Sequence, residues 1–400
     1  MKKAMTLDSL PDDVLLWIFE YCHLIDLGNL SLVCKRFKIL ISQDYLWSKK
    51  CNNLITSQES SVFLNRSLIE LSAKEKCRIA LNWKLGCYIQ RNIFFIKKMF
   101  SWMMIEADKA WLSRGTTLSC YKRTKYGIKH KYPIYSLDRL HEYDIRRFVK
   151  RNDVIFTCGY DNHINGLSAD TGKSMFRKKI PEVQELYCID VVEETLITSA
   201  NNNTIQTWKL SENYRKCDKI HTTYFDERIW SLAIRPRGGI VALGFSGIYT
   251  NLSLLHIESN LNLYNAPTRG GKVVHDIKWE SPNIFLTCGY ELRMFDLRVP
   301  DYCVKTWEDP FDCKAYCLET DNSNYILCGM IYHGRVQMWD KRSDRFIQQY
   351  FPKPTPASPV YSLGFDPGQL YISLDDRLVY MDFTTYLNQE SVKKDYSFFR

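Results

Sequence analysis

The 400-residue chain contains no apolar run near the ~18 residues that a membrane-spanning helix needs. Its start, MKKAMTLDSLPDD, has two lysines but no apolar core, which argues against a secretory signal. The fourteen cysteines form no CxxC pair and no Cys/His spacing of a zinc site. They read as reduced, buried, small apolar residues of a cytosolic or nuclear protein, with no metal or other cofactor implied. Also missing are a P-loop, a GxSxG elbow and an HExxH motif, and the eight histidines are scattered without a carboxylate pattern. Cys158, Cys288 and Cys328 stand on predicted strands, where a buried thiol is inert. The chain is therefore read as non-catalytic.

What is present is a good core composition: 45% hydrophobic, 25% charged and 14% aromatic, the last leaning towards strands. The net charge is +9, and its distribution is uneven. Residues 121–151 carry Lys122, Arg123, Lys125, Lys129, Lys131, Arg139, Arg146, Arg147, Lys150 and Arg151 against three acids. Such a run suits a solvated loop between repeats, or a surface for an acidic or phosphorylated partner. Nucleic acid is disfavoured as a partner by a pI below 9.

The first fifty residues show helical periodicity. Pro11, Asp12 and Asp13 suit a first turn, with Asp8 or Ser9 as caps. Val14, Leu15, Ile18, Phe19 and Cys22 follow at helical spacing, and Leu27, Leu30 and Cys34 mark a second stripe. About three short helices are expected, too few to be stable without further contacts. A second helical stretch, about 58–88, ends at Gly86, with Trp83 as a packed plug between modules or an ordinary core residue. It is not the Gly/Ser/Pro-rich composition of a flexible tether.

From about residue 92 the pattern changes to strands and turns. Phe156-Thr157-Cys158-Gly159-Tyr160-Asp161 recurs as Leu286-Thr287-Cys288-Gly289-Tyr290-Glu291, with weaker copies elsewhere. Large anchors follow each copy, at Tyr121, Leu167, Trp208, Leu255, Phe295, Trp339 and Met381, spaced 40–47 apart. Four short strands per ~40–45 residues is the unit of a β-propeller, and seven units give seven blades. The strand-like segment 92–97 would close the last blade and remove an open sheet edge.

The N-terminal stretch LPDDVLLWIFEYCHLIDLGNLSLVCKRFKILISQDYLW resembles the F-box in the order and spacing of at least five features. The whole chain resembles the F-box/WD-repeat proteins. That likeness is carried by Asn82-Trp83-Lys84-Leu85-Gly86, Glu280-Ser281-Pro282 and Tyr332-His333-Gly334-Arg335-Val336-Gln337-Met338-Trp339-Asp340. It departs in blade 2, where Leu167-Ser168 replace Trp-Asp, and in the scarcity of Gly-His pairs. The resemblance implies a multidomain protein: a small all-α F-box (5–52), a helical linker (53–90), an all-β seven-bladed WD-repeat propeller (91–388) and a C-terminal tail (389–400).

It further implies a substrate-recognition subunit of a Skp-cullin-F-box ubiquitin ligase. Leu10, Pro11, Leu15, Ile18, Cys34 and Trp47 would then lie in or beneath the interface with a Skp-type adaptor, which carries the cullin/RING core. Leu10, Pro11 and Trp47, at the module's ends, are the expected contacts, whereas Val14, Val33 and Phe37 are expected in its own core. Before each predicted inner strand stands an apolar, a large and then a small or polar residue. The large ones, Arg146, Tyr187, Trp230, His275, Tyr316 and Tyr361, would ring one mouth of the channel as a substrate site, or pack between blades. A WD-repeat scaffold without a ubiquitin role, and a basic propeller binding RNA through Arg146, Arg147, Lys150 and Arg151, are the alternatives.

Overall fold

The structure, a computed structural model, describes residues 6–267, 272–352 and 358–386. The expected tail at 389–400 lies outside the described residues. A short 3-10 turn, Leu7–Ser9, precedes four helices: α1 (Asp12–Tyr21), α2 (Leu24–Leu30), α3 (Lys35–Ile41) and α4 (Asp44–Cys51). Four helices thus replace the three expected. Pro11 itself takes the N-cap place of α1, because its fixed φ suits the start and its missing N–H is not needed there. The second stripe is also corrected: α2 ends at Leu30, and Cys34 caps α3 by accepting from the Phe37 amide.

The expected single linker helix is two. α5 (Ser61–Leu64) is one turn, and α6 (Ala73–Leu85) is the long one. Ser72 and Glu75 form a reciprocal capping box at the start of α6, and Gly86 stops it at φ 65°, a left-handed conformation that glycine adopts without a Cβ penalty. α6 belongs to two cores. Cys77 packs with Leu15, Phe19, Leu46 and Trp47 of the helical module, while Ile79, Ala80 and Trp83 pack with Tyr350, Phe365 and Phe383 of the propeller.

Seven four-stranded antiparallel sheets follow, at 101–137, 145–179, 186–224, 229–267, 274–308 and 315–350 for blades 1 to 6. Blade 7 combines three C-terminal strands (362–382) with Ile89–Phe94, which pairs with Arg377–Asp382 in the register Ile89↔Asp382 to Phe94↔Arg377. The closing strand therefore starts three residues earlier than the sequence suggests. All seven anchors lie on the third strand of their blades, and six of them, from Leu167 to Met381, are buried. Two of the Trp-Asp-like aspartates, Asp296 and Asp340, each hold the arginine two residues on, pinning the turn that follows.

The histidines are not without carboxylates. His141 lies 2.9 Å from Asp161 and 2.8 Å from Thr157, sealed inside blade 2 as a structural pin. The basic run is mostly strand of blades 1 and 2 rather than loop, with Lys125 and Arg139 in the turns. Lys122, Lys125, Lys129, Lys131 and Arg139 are solvent-exposed, as a solvated segment would be. Arg123 is buried against Asp366, and Arg147, Lys150 and Arg151 pair with Asp276, Glu106 and Asp190.

Candidate functional site

Propeller inner strands begin at one end of the channel, and what they present there is set by a repeated backbone irregularity. In blades 2 to 6 the pairing of the first two strands skips one residue, between Ile145/Arg147, Leu186/Cys188, Ile229/Ser231, Val274/Asp276 and Ala315/Cys317. The skipped residues are Arg146, Tyr187, Trp230, His275 and Tyr316. A bulge re-aims its side chain out of the pleat, here towards the channel mouth. Tyr361 precedes the inner strand of blade 7, and Phe100 that of blade 1.

The result is a closed loop of side chains. Ring centroids are 6.0 Å apart for Tyr187–Trp230, 6.3 Å for Trp230–His275, 5.4 Å for His275–Tyr316 and 5.6 Å for Tyr316–Tyr361. Phe100 lies 4.8 Å from Tyr361, and Tyr160 lies 6.1 Å from Tyr187. The Arg146 guanidinium joins the ends, 4.6 Å from Phe100 and 5.6 Å from Tyr160. It also reaches to within 6.0 Å of Tyr316, on blade 6. All six expected mouth residues are thus brought together. Phe100 and Tyr160 were missed, although Met99-Phe100-Ser101 fits the apolar-large-small pattern.

Neighbouring blades are fixed directly below. Ser231 Oγ donates to Val274 O at 2.9 Å, Cys317 Sγ to Val360 O at 3.3 Å, and Ser362 Oγ accepts from the Met103 amide at 2.8 Å. The small third residues Ser231, Cys317 and Ser362 are what admit this approach. Arg147 then crosses the channel from blade 2 to Asp276 of blade 5, at 2.8 Å, with Trp102 beneath its guanidinium. Beyond it lies a cavity of about 630 Å³ lined by Lys150, Arg151, Asp190, Lys278 and Trp279. Burial, together with Arg146 and Lys314, lowers the His275 pKa to about 4, so the ring holds a neutral imidazole at pH 7. Burial and the hydrogen bond to Glu185 push Tyr187 up to about 12. Burial likewise pushes up the thiols of Cys158, Cys288 and Cys328.

The helical module presents a different surface. Its core takes Leu15, Phe19, Leu27, Phe37, Leu40, Leu46 and Trp47. Left outside are Trp17 and Tyr21 of α1, Leu32 (85% exposed) and Val33 (67% exposed) in the α2–α3 turn, and Ile39 of α3. Arg36 of α3 holds the Leu10 carbonyl at 2.6 Å and Asp12 through its Nε at 3.0 Å, which fixes the Leu-Pro segment against α3.

Residues 7–53 match the family described as F-box-like. This module is an F-box-like domain. Over 386 residues the chain is 28% identical to F-box/WD repeat-containing protein 4 of Mus musculus, covering 94% of this chain and 92% of the relative. The human protein of that name is 28% identical over 383 residues, with the same coverage. Among solved structures, the computationally designed Ika8 protein matches with a TM-score of 0.54 at 11% identity, over 73% of this chain and 98% of that one. The likeness to Ika8 concerns the fold alone.

Within the F-box-like domain the six sequence-selected residues divide. Pro11 is exposed, and Leu10, Ile18 and Cys34 are half-buried at its surface. Leu15 is fully buried, and Trp47 is a core residue rather than an outer contact. Its indole N–H donates to Ile41 O, its carbonyl accepts from Cys77 Sγ, and Lys74 of α6 lies over its ring. The packing of α6 across α4 explains the correction, because α6 covers the end that a sequence reading leaves open. Val33, expected in the core, is exposed, and Val14 is partly so. Phe37 is buried as expected.

Proposed function

We propose that the protein is the substrate-recognition subunit of a Skp-cullin-F-box type ubiquitin ligase. Its F-box-like domain docks a Skp-type adaptor through Leu10, Pro11, Ile18 and Cys34, together with the exposed Leu32, Val33 and Ile39. Leu15 and Trp47 support that surface from beneath. The aromatic mouth of the propeller holds the protein to be modified. The observation that carries this reading is α6, one helix whose side chains complete both the F-box-like core and the blade 6–7 core. Two binding surfaces joined by a shared helix keep a fixed separation, so a substrate held at one raises its effective concentration near a ligase held at the other. The chain positions its partners and makes or breaks no bond itself.

The test is affinity capture of the full chain from cells, beside Leu32→Asp/Val33→Asp and Trp230→Ala variants. The first should lose the Skp-type adaptor and cullin while keeping other partners. The second should keep the adaptor and lose a distinct set. Capture without any Skp-type adaptor would leave a WD-repeat scaffold in place of a ligase subunit. The RNA alternative is weakened by the engagement of Arg147, Lys150 and Arg151 in internal ion pairs.

A further inference from the structure

Two guanidiniums at the mouth lack a carboxylate among the described residues, Arg228 at its outer edge and Arg146 set between the aromatic rings. Three cations of the same inner strand each have a carboxylate: Arg147 with Asp276, Lys150 with Glu106 and Arg151 with Asp190. Arg146 has none among the described residues. Its guanidinium is half-buried and bounded by the faces of Phe100, Tyr160 and Tyr316. The Tyr316 hydroxyl takes part of the fork, but aromatic faces do not compensate its charge and leave its remaining N–H donors available. A planar fork in a partly desolvated setting is matched by a carboxylate or a phosphate oxygen pair.

Charge count separates the two. A phosphoryl group brings about −1.5 to −2 at pH 7, and its sites gather several cations. Here the other mouth guanidinium, Arg228, lies over Tyr187 and Trp230 on blades 3 and 4, away from the rings that hold Arg146. Lys272 is committed to Glu291, and Lys314 stands over Tyr290. His275, which could supply a second positive charge, is neutral at pH 7 because burial and the nearby Arg146 and Lys314 lower its pKa to about 4. Arg146 is the one guanidinium seated among Phe100, Tyr160 and Tyr316, with Arg228 turned to Tyr187 and Trp230 and Lys314 to Tyr290, an arrangement that fits a single negative charge at Arg146. The surrounding rings then fit an apolar or aromatic side chain next to it, the kind of anchor that dominates interface energies.

We infer that the mouth takes an unphosphorylated acidic segment of a protein, with one Asp or Glu carboxylate on Arg146 and an adjoining apolar residue on the aromatic ring. This rests on the reading of the mouth as the substrate site. The carboxylate lies against Arg146 from the channel axis, and its neighbour covers the arc from Tyr187 to Tyr316.

The test selects from a displayed library of random twelve-residue peptides on the full-length chain. A selected sequence is then synthesised with Glu, Gln or phosphoserine at its acidic position, and binding is followed by fluorescence anisotropy. The expected result is an acidic position in the selected set, at least tenfold weaker binding of the Gln peptide, and phosphoserine no tighter than Glu. Arg146→Gln should weaken the Glu peptide at least tenfold and leave the Gln peptide unchanged. Arg146→Lys, which keeps the charge, should fall between, and unchanged adaptor capture checks that both variants are folded. Tenfold tighter phosphoserine binding, or indifference to Arg146→Gln, overturns the inference while the mouth reading stands, provided Trp230→Ala abolishes binding. Selection of no peptide, or of peptides indifferent to Trp230→Ala, overturns both.

Discussion

The indole N–H of Trp83 donates to the carbonyl of Pro367 at 2.8 Å, and the same ring stacks on Phe383 at 3.8 Å. One side chain of the connecting helix is therefore bonded to a turn of blade 7 and packed in its core. Tyr350 returns a hydrogen bond to the Trp83 carbonyl at 2.7 Å, and Asn82 holds Phe383 O at 2.7 Å. Trp83→Ala should cost about 3–5 kcal/mol, the range for deleting a fully buried aromatic. Trp83→Phe keeps the stacking and should cost about 1–2 kcal/mol for the lost bond. Urea unfolding with limited proteolysis between residues 86 and 95 measures both. Unchanged stability of the alanine variant would mean that α6 is not the joint described.

The exposed apolar residues of the F-box-like domain and its buried tryptophan should respond in opposite ways. Leu32→Asp with Val33→Asp alters side chains already in water, so the melting temperature should stay within about 2 °C. Adaptor co-purification should fall at least tenfold, because a charge would face an apolar contact. Trp47→Ala should instead destabilise by about 3–5 kcal/mol and weaken adaptor binding only through unfolding. A stable Trp47→Ala protein that has lost the adaptor would return Trp47 to the interface.

The Arg147–Asp276 pair ties blade 2 to blade 5 across the channel. Asp276 also accepts the amides of Ile277 at 3.0 Å and Leu318 at 3.2 Å, so its charge is compensated from three sides. Removing one member of a buried pair leaves the other uncompensated, at about 3–5 kcal/mol. Arg147→Met should reach that range by stranding the carboxylate. Adding Asp276→Leu should recover part of it only, because the Leu318 amide then lacks its acceptor. Chemical denaturation of both variants settles it, and full recovery in the double variant would show that the amide bond contributes nothing.

How much of this was legible depends on sequence distance. The anchors at Tyr121 through Met381 show themselves because each blade repeats the same local strand pattern, and the mouth residues follow from that register. Phe100 was equally legible, but the blade it opens lacks the Thr-Cys-Gly copy that draws the eye to the others. The Arg147–Asp276 bond joins residues 129 apart, and nothing local to either encodes it. A run of basic residues therefore looks like free charge when four of its ten cations, Arg123, Arg147, Lys150 and Arg151, are paired with carboxylates inside the fold. Trp47 failed for a related reason: its cover, α6, lies some thirty residues downstream, and module-by-module reading leaves that end bare. Val33 failed through its turn, where helical periodicity no longer tells inside from outside.

His275 makes the mouth sensitive to acid in a defined window. Its folded pKa of about 4 lies below the ~6.5 of an unfolded chain, the cause being burial first and the positive charges of Arg146 and Lys314 second. Above pH 6.5 both states hold a neutral imidazole, and the contribution to stability is complete. Between pH 6.5 and 4 the unfolded chain takes up the proton first, so stability falls as pH falls. Discounted for the partial exposure of the ring, the loss is on the order of 2 kcal/mol. His275→Phe, which preserves the stack with Tyr316, should flatten the urea midpoint across that window and leave it nearly unchanged at pH 8. An equal slope in the variant would place the acid sensitivity elsewhere. Because Arg146 is one of the charges that hold His275 neutral, an acidic ligand seated on Arg146 should raise the imidazole pKa. NMR titration of His275 with and without the Glu peptide should therefore show the upward shift only when that peptide is bound, and only while Arg146 is present.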